Sequence, residues 1–473
     1  LVRSRGLGDV YKRQVLYLAN ANNRLAPNGA LVQGRDVTLI AGKDLVNSGT
    51  LRASENLSAT AGTDLINGGL IEAGNRLNLL AGDNVVNQSG GIIAGRDVTV
   101  RALAGDVINE RSITTFQSNP GSTTQRLDYA DNAGRIEARN DLNVGAGRDI
   151  NNIGGVLSSG GDTTLIAARD VNLVSAQEHD KLTRDRYLNE SITQHGSSVS
   201  VGRDLAVSAG RDLTAVASQI EAKRNIAMDA AGDLTLASAA DEQHSYSKTK
   251  KVTRQEDHVS QVGTSLTAGA DVVLSAGKDL SLISSRISAG NEAYLVAGDN
   301  LELLAAQDSD YSLYDMKKKG SWGRKKTRRD EVTQVTNIGS EITTGGDLTL
   351  KSGGDQKYQV AKLESAKDLT LDSGGAITFE GVKDLHDESH TKSNNNAFWN
   401  SSKGRGNTDE TLRQSSLVAG GSLTIKAVEG LKIDIKHIDQ KSVSQAIDAM
   451  VQADPQLAWL TLFWSMCLMS IFK

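Results

Sequence analysis

A repeat of about 20 residues constrains the fold of this chain more than any other feature of its sequence. Thr50–Ala53 aligns with Leu70–Ala73, one repeat later, and a further copy begins at Ile92. Within each unit, apolar residues alternate with polar ones, which is the period of a β-strand. Gly-x-Asp or Gly-x-Asn triplets separate the strands and favour tight turns. One unit is too small to bury its apolar face, so the repeat predicts a stack of units, a solenoid.

The solenoid that best suits such units is a parallel β-helix. A leucine-rich repeat would need a longer apolar frame with a helical segment in each unit, and calcium-binding nonapeptide rolls need tandem Gly-Gly-x-Gly-x-Asp motifs. We therefore predict an all-β solenoid with coils of about 20 to 22 residues. Apolar side chains at the recurring positions are expected to point into its core, namely Leu39, Leu51, Ile71, Leu77, Ile92, Ile220 and Ile287.

Asparagines recur at one position of the early units. Asn47, Asn67 and Asn87 are separated by one repeat each, and Asn109 and Asn152 occupy the matching place after an apolar pair. In a stack of coils these side chains would lie above one another and could hydrogen-bond as a structural asparagine ladder. Each could instead cap its own turn, and the two arrangements are compatible.

Five polar, charged segments interrupt the repeat, and we expect them to project from corners of the stack as loops or hairpins. They lie near residues 116–132, 177–198, 240–262, 307–337 and 386–414.

The repeat region as a whole spans residues 15–440. After it, apolar residues at helical spacing predict a short helical segment over 441–460. Residues 1–14 break the pattern and are interpreted as a non-native artefact, and the apolar residues 461–473 are interpreted as a frameshifted tail.

The most basic interruption contains a dense run of cations. Such a run could bind phosphate or acidic glycans, with an indole ring stacking on the ligand. It could also be the solvated tip of a hairpin, which is the more frequent role of charge runs. The candidate anion-binding residues are Lys317, Lys318, Lys319, Trp322, Arg324, Lys325, Lys326, Arg328 and Arg329.

The chain is not expected to be an enzyme. Its acidic residues recur at turn positions, whereas catalysis needs a base or paired carboxylates placed once in a cleft. His386 and His390 lie four residues apart without a third metal ligand, so neither a metal nor another cofactor is expected. The net charge of −5 gives no reason to expect a nucleic-acid partner, and the single cysteine, Cys467, excludes an intrachain disulfide.

Gly-Arg-Asp triplets recur along the chain with Ala-Gly-x-Asp-Leu between them, and they begin at Gly34, Gly95, Gly147, Gly202 and Gly210. These motifs resemble the haemagglutinin repeats of filamentous-haemagglutinin-type two-partner-secretion exoproteins of Gram-negative bacteria. The landmarks between Val107–Arg111 and Asp149–Gly155 are most similar to the second haemagglutinin-repeat region of contact-dependent growth-inhibition effectors. Ser442–Leu460 resembles the segment that precedes the pretoxin and toxin in those effectors.

The resemblance implies a right-handed β-helix that is the structural stalk of a secreted, cell-surface exoprotein, here without its signal and secretion domain. It implies an outer-membrane two-partner-secretion transporter and a receptor on the target-cell surface or outer membrane as partners. The stalk would present or deliver a C-terminal toxin, and an immunity protein would bind only that missing toxin. Two alternatives stay open, a filamentous adhesin that binds surface glycans or proteins and, less suited to the sequence, a β-helix polysaccharide-active enzyme.

Overall fold

The computed structural model describes residues 30–320, 324–395 and 399–434. Within these ranges the chain forms 49 β-strands and no helix. The described part of the chain therefore offers no helix long and apolar enough to cross a membrane. It is all-β, as the alternating sequence pattern predicts. The expected N-terminal artefact, C-terminal helical segment and tail lie outside the described residues.

Three short strands make up each circuit of the chain. The first four circuits comprise β1 (Leu31–Gly34), β2 (Val37–Ala41), β3 (Leu45–Asn47), β4 (Thr50–Ala53), β5 (Leu57–Ala61), β6 (Leu65–Asn67), β7 (Leu70–Ala73), β8 (Arg76–Ala81), β9 (Val85–Asn87), β10 (Ile92–Gly95), β11 (Asp97–Ala102) and β12 (Val107–Glu110). A hairpin and two circuits then alternate, as β13 (Ile113–Ser118), β14 (Thr123–Ala130), β15 (Arg135–Ala138), β16 (Leu142–Ala146), β17 (Ile150–Ile153), β18 (Val156–Ser159), β19 (Thr163–Ala167), β20 (Val171–Val174), β21 (Ala176–Arg184), β22 (Tyr187–His195), β23 (Ser198–Val201), β24 (Leu205–Ala209), β25 (Leu213–Val216), β26 (Gln219–Ala222), β27 (Ile226–Ala230) and β28 (Leu234–Ala237).

The same alternation continues to the last described strand. It comprises β29 (Ala239–Lys248), β30 (Val252–Val262), β31 (Ser265–Ala268), β32 (Val272–Ala276), β33 (Leu280–Ile283), β34 (Arg286–Ala289), β35 (Ala293–Ala297), β36 (Leu301–Leu304), β37 (Ala306–Lys319), β38 (Lys325–Ile338), β39 (Glu341–Thr344), β40 (Leu348–Ser352), β41 (Gln356–Gln359), β42 (Lys362–Ser365), β43 (Leu369–Ser373), β44 (Ala376–Glu380), β45 (Val382–Asn395), β46 (Asn400–Arg413), β47 (Ser416–Ala419), β48 (Leu423–Ala427) and β49 (Gly430–Asp434).

Strands at equivalent places in successive circuits pair in parallel. In the described residues they form three parallel sheets of thirteen strands each, which begin β1-β4-β7, β2-β5-β8 and β3-β6-β9. Leu51 of one circuit, for example, pairs with Ile71 of the next. This topology is consistent with a β-helix solenoid. We call each circuit a coil and the three sheets together the coil stack.

Alternating burial along each strand places one of its faces in the core. In β8, Leu77, Leu79 and Ala81 are buried, whereas Arg76 and Asn78 are exposed. Inward side chains from all three sheets form one continuous hydrophobic cluster along the stack. Full burial of a leucine or isoleucine side chain stabilises a fold by roughly 1.5 to 3 kcal/mol. Because a single coil cannot enclose these side chains, its stability depends on the coils above and below it.

The structure places most of the predicted core residues inside the stack. The buried ones are Leu51, Ile71, Leu77, Ile220 and Ile287. Leu39, in the first described coil, is only partly buried, although it packs against the core cluster.

The prediction for Ile92 is wrong. Ile92 is partly exposed, whereas its neighbour Ile93 pairs with Ile71 and is fully buried. The turn before β10 is longer than its predecessor and contains Ser89 and Gly90, both with positive φ. The step from Ile71 to Ile93 is therefore longer than the preceding step, from Leu51 to Ile71. Because strand side chains alternate with a period of two, a shift of one residue moves Ile92 to the outer face.

The five interruptions form antiparallel hairpins, β13–β14, β21–β22, β29–β30, β37–β38 and β45–β46. Each leaves the stack after the third strand of a coil, and two coils separate one hairpin from the next. Two coils advance about 9.6 Å along the stack, at about 4.8 Å each, and two antiparallel strands advance by the same distance. Neighbouring hairpins therefore stay level with the stack and pair with one another in a ten-stranded antiparallel sheet, the hairpin sheet.

In the part of the chain that contains the hairpins, each coil that is not followed by a hairpin turns the same corner through a residue in the left-handed conformation. These residues are Gly154, Ala217, Ser284 and Val360, with φ between 47° and 57°. Left-handed backbone is unfavourable for a residue with a Cβ atom, above all for a β-branched one. Contacts with the neighbouring coils must therefore hold these corners in place.

Candidate functional site

The hairpin sheet has a root, where the hairpins join the coil stack, and an opposite edge formed by the hairpin turns. Neighbouring hairpins remain paired close to their turns, as Tyr187 is with Ser247 and Lys325 is with Asn395. The described strand ends beside the turns therefore lie in a row, which we call the turn edge. Several exposed cations lie in or beside these turns, namely Arg184, Arg186, Lys248, Lys250, Lys251, Lys392 and Lys403.

The candidate anion-binding residues also lie on the turn edge, at the hairpin β37–β38. Three of them have a carboxylate partner on their own strand, with Lys317 bound to Asp315 at 3.1 Å, Arg328 to Asp330 at 2.6 Å and Arg329 to Glu331 at 2.8 Å. Trp322 lies outside the described residues. The remaining candidates are exposed and have no ion-pair partner among the described residues, namely Lys318, Lys319, Arg324, Lys325 and Lys326.

A row of opposed side chains crosses the middle of the hairpin sheet. Glu190 pairs with His244, and His244 pairs with Asp257 on the next strand. His244 Nδ1 lies 3.0 Å from Asp257 Oδ1, and its Nε2 lies 2.9 Å from Glu242 Oε2. The hydrogen bond to Glu242 raises the pKa of His244, burial opposes it, and the bond to Asp257 adds to the rise. The ring of His244 therefore links the two strands of this hairpin.

Recurring carboxylates connect each of the last three hairpins to the previous one at its root. Asp241 Oδ1 accepts the backbone N–H of Gln194 at 2.6 Å, and Asp308 Oδ1 accepts that of Gln261 at 2.7 Å. The next hairpin repeats the contact between other residues, with the Asn337 N–H donating to Asp384 at 2.8 Å. Sequence analysis missed these residues. An acid at the third position of each late hairpin is the signal that would have revealed them.

The asparagine column lies in the third sheet, where its members are buried. Asn47 Nδ2 donates to Asn67 Oδ1 at 2.7 Å, and Asn67 Nδ2 donates to Asn87 Oδ1 at 2.8 Å. The series continues from Asn87 to Asn109 at 2.8 Å and from Asn109 to Asn152 at 2.7 Å. The amides also bond to nearby backbone groups, so ladder bonds and turn bonds coexist.

Acids at the turns of the coils connect the corners of successive coils. Arg148 Nε donates to Asp106 Oδ1 at 2.7 Å, and Arg169 Nε donates to Asp149 Oδ1 at 2.7 Å. Asp106 Oδ1 also accepts the backbone N–H of Asp149 at 3.0 Å. The hydrogen bond from Arg169 lowers the pKa of Asp149 against the effect of burial. Both carboxylates thus serve as links between coils.

The two histidines considered as metal ligands bond to carboxylates. His386 Nε2 lies 2.9 Å from Glu388 Oε1, and His390 Nδ1 lies 3.0 Å from Asp330 Oδ1. Within the three described ranges, no group of three or more His, Cys, Asp or Glu side chains is placed to hold a metal ion.

A cleft of about 500 Å³ lies on the hairpin sheet. His258 hydrogen-bonds to Asp310 in its wall, and the remaining lining is mainly amide, hydroxyl and acid groups. Among the described side chains, no serine or threonine hydroxyl hydrogen-bonds to His244 or His258, the two histidines of the cleft.

These features define a repeat protein. Its coils repeat, their acids link one coil to the next, and the hairpin sheet advances at the same rate as the coil stack. The family model described as "Hemagglutinin repeat" matches residues 115–188, 183–255, 243–323 and 319–403, and a second, "Haemagglutinin repeat", matches 16–89, 62–115 and 387–443. The chain belongs to this haemagglutinin-repeat family. Each match to the first model runs from one hairpin to the next, so the family's repeat corresponds to the two-coil unit.

The chain is similar to parts of much longer proteins. It is 32% identical over 279 residues to the "Deoxyribonuclease CdiA" of Dickeya dadantii, covering 56% of this chain and 8% of that protein. It is 29% identical over 319 residues to the "tRNA nuclease CdiA" of Escherichia coli STEC_O31, and the match covers 62% of this chain and 9% of that protein. It is 23% identical over 280 residues to the "Hemolysin" of Serratia marcescens, and the match covers 57% of this chain and 15% of that protein. No solved structure matches the chain.

Proposed function

We propose that this chain is part of the structural stalk of a secreted, cell-surface filamentous exoprotein, and that the stalk presents or delivers a C-terminal toxin in contact-dependent growth inhibition. The stalk is a right-handed β-helix over residues 15–440, with coils of about 20 to 22 residues, and is followed by a helical segment at 441–460. An outer-membrane two-partner-secretion transporter exports it. A receptor on the target cell binds the exoprotein, and an immunity protein binds only the toxin.

The observation that carries this proposal is the constant two-coil unit. Each unit adds two coils and one hairpin, and every hairpin leaves the stack at the same corner. The thirteen described coils span on the order of 60 Å at about 4.8 Å each. A fold that grows by identical units suits a spacer between a cell surface and a terminal module.

The names of the relatives support a division between stalk and toxin. One CdiA relative is named a deoxyribonuclease and the other a tRNA nuclease, yet both share repeats with this chain. Because repeats common to both cannot account for two different activities, we assign the activities to other parts of those proteins. We accordingly propose that the repeat region has no catalytic activity.

A chimera tests the delivery role. Residues 30–434 would replace the matching repeats of the Dickeya dadantii relative, which keeps its own secretion region and nuclease. We expect the chimera to reach the cell surface and to kill target cells that lack the immunity protein. A second chimera, without any repeats at this place, serves as the matched control and should be displayed but should not kill.

Two outcomes would contradict the proposal. Killing by the repeat-free control at the level of the chimera would show that the segment has no role in delivery. Adherence without killing, with the nuclease intact and displayed, would favour the adhesin alternative instead.

A further inference from the structure

We propose that the turn edge of the hairpin sheet, around the hairpins β37–β38 and β45–β46, is a binding site for phosphorylated glycans. This site goes beyond the stalk role, because it would give the stalk an adhesive surface of its own.

Cations oppose one another on the turn edge. Lys318 pairs directly with Lys326, and the pair Lys319–Lys325 lies beside it. Like charges at directly opposed positions of an antiparallel pair destabilise a sheet. A hairpin selected only for stability would place an acid at one of these positions. The arrangement therefore indicates an anion that is absent from the isolated chain.

The same opposition of cations extends to the next hairpin. Arg328 pairs with Lys392, and Lys392 pairs with Lys403. Directly paired residues project from the same face of a sheet, and side chains two positions apart share that face. Lys318 and Lys326 therefore lie on the same face as these three cations. Asp330 is the nearest acid on this face along β38, and Arg328 and His390 already bind it.

A cleft of about 400 Å³ lies at this end of the sheet. Lys326 and Lys325 line one side, and Asn394, Asn395 and Trp399 line another. The indole ring of Trp399 is largely exposed. Asparagine amides both donate and accept hydrogen bonds, which suits sugar hydroxyls, and an indole ring offers an apolar face for a sugar ring.

Phosphate is the anion that these cations fit best. A phosphate group carries nearly two negative charges at neutral pH and three strong acceptor oxygens, so it can bind two lysines at once. The paired lysines lie directly opposite each other on neighbouring strands, so that one phosphate group can contact both. A single-stranded nucleic acid would use several aromatic side chains as stacking platforms. Trp399 is the one aromatic side chain in the described lining of this cleft.

Neighbouring turns extend the positive charge along the same edge. Lys250 and Lys251 form the turn of β29–β30, and the Lys251 carbonyl oxygen accepts the Lys317 backbone N–H at 2.8 Å. Arg184 and Arg186 flank the preceding turn, with Asp185 between them. Hairpin turns recur about every 9.6 Å, so a long polymer could contact several turns together.

Binding of labelled dextran phosphate to the full chain tests this site. We expect saturable binding that weakens with salt, because phosphate contacts release counterions. The variant Lys318→Gln/Lys326→Gln/Lys392→Gln/Lys403→Gln should bind at least tenfold more weakly. The matched control, Lys43→Gln/Lys223→Gln/Lys278→Gln/Lys367→Gln, changes net charge equally at exposed positions of the coil stack and should bind within twofold of the parent chain.

Competing ligands define the outcomes that would overturn the site. Equal losses in both quadruple variants, or no binding by the parent chain, would contradict it. Tighter binding of dextran sulfate, or of a single-stranded oligonucleotide of equal charge, would assign the edge to a different ligand. The quadruple edge variant should melt at the same temperature as the parent or higher, since it removes repulsion. If it does not fold, Lys326→Gln/Lys392→Gln replaces it, with at least threefold weaker binding expected.

Discussion

The carbonyl oxygen of Val360 occupies the space in which a side chain on Gly339 would begin. Gly339 follows the hairpin β37–β38, and Val360 is the left-handed corner residue of the next coil, with φ of 52°. The same relationship recurs at two earlier corners, between Gly196 and Ala217 and between Gly263 and Ser284. These three returns from a hairpin thus contact the next corner, so that the hairpin sheet and the coil stack constrain each other.

We expect Gly339→Ala to destabilise the fold by roughly 1 to 3 kcal/mol, the usual cost of an overpacked site. The added methyl group would overlap the Val360 carbonyl and displace the corner. Gly42→Ala is the matched control, because a Cβ atom there meets no heavy atom within 4 Å. Urea unfolding would measure the free energy of unfolding of both variants. Equal effects of the two substitutions would contradict the role of this contact.

Breaking the asparagine column in its middle should be costly. Asn67 is fully buried and bonds to both Asn47 and Asn87. Asn67→Ala leaves those two amides short of a partner, and we expect a loss of roughly 1 to 3 kcal/mol. Asn143→Ala, at an exposed position of the stack, should change the free energy of unfolding by less than about 0.5 kcal/mol. If chemical denaturation gave similar losses of unfolding free energy for Asn67→Ala and Asn143→Ala, the asparagine column would not contribute to stability.

The stability of the hairpin sheet should depend on the protonation of His244. Its pKa is raised in the fold by Glu242 and Asp257. The stabilisation is therefore fully present below the unfolded value of about 6.5 and is lost as pH rises through the folded value. His244→Gln should destabilise the protein near pH 5.5 and have little effect near pH 9, values chosen on either side of a histidine titration. Thermal melts of the parent and the variant at both pH values measure this difference in stability. A loss of stability that is independent of pH would contradict the role of His244 protonation.

Deletions should succeed only in whole two-coil units. Removing residues 198–264 takes out two coils and a hairpin and puts Ser265 in the place of Ser198. Removing 219–264 takes out one coil and a hairpin, and leaves three coils between the flanking hairpins. Three coils advance about 14.4 Å, whereas a hairpin fills about 9.6 Å.

We expect the first deletion variant to remain monomeric and to melt cooperatively. The second should expose unpaired strand edges and aggregate, because such edges pair with other chains. Size-exclusion chromatography and thermal melts distinguish the two variants. Identical behaviour would mean that the hairpin sheet does not depend on the spacing of the coils.

Local sequence pattern predicts the coils well and their register less well. Leu51, Ile71 and Leu77 are buried because alternation and turn glycines determine which face of a short strand points inward. Ile92 was misassigned because the length of a turn, not the strand pattern, determines the register of the next strand.

Joining of the hairpins into one sheet was not predicted from the sequence. Their residues carry few repeat signals, so each interruption was expected to project separately. The available signal is their regular placement, one after every second coil, which matches the rise of two strands. The opposed lysines of the candidate site were seen only as a charge run, because the partner of Lys318 depends on the position of the turn.

The most direct test of the account is the length of a chain with added units. Three extra copies of residues 198–264, inserted in tandem after the original, should lengthen the particle by about 29 Å, at about 9.6 Å per unit. Electron microscopy of the parent and extended chains measures this length along the long axis of each particle. A stack that grows by two-coil units should show that increment with an unchanged width. A wider particle of unchanged length, or an increment far from about 29 Å, would contradict a stack that grows by two-coil units.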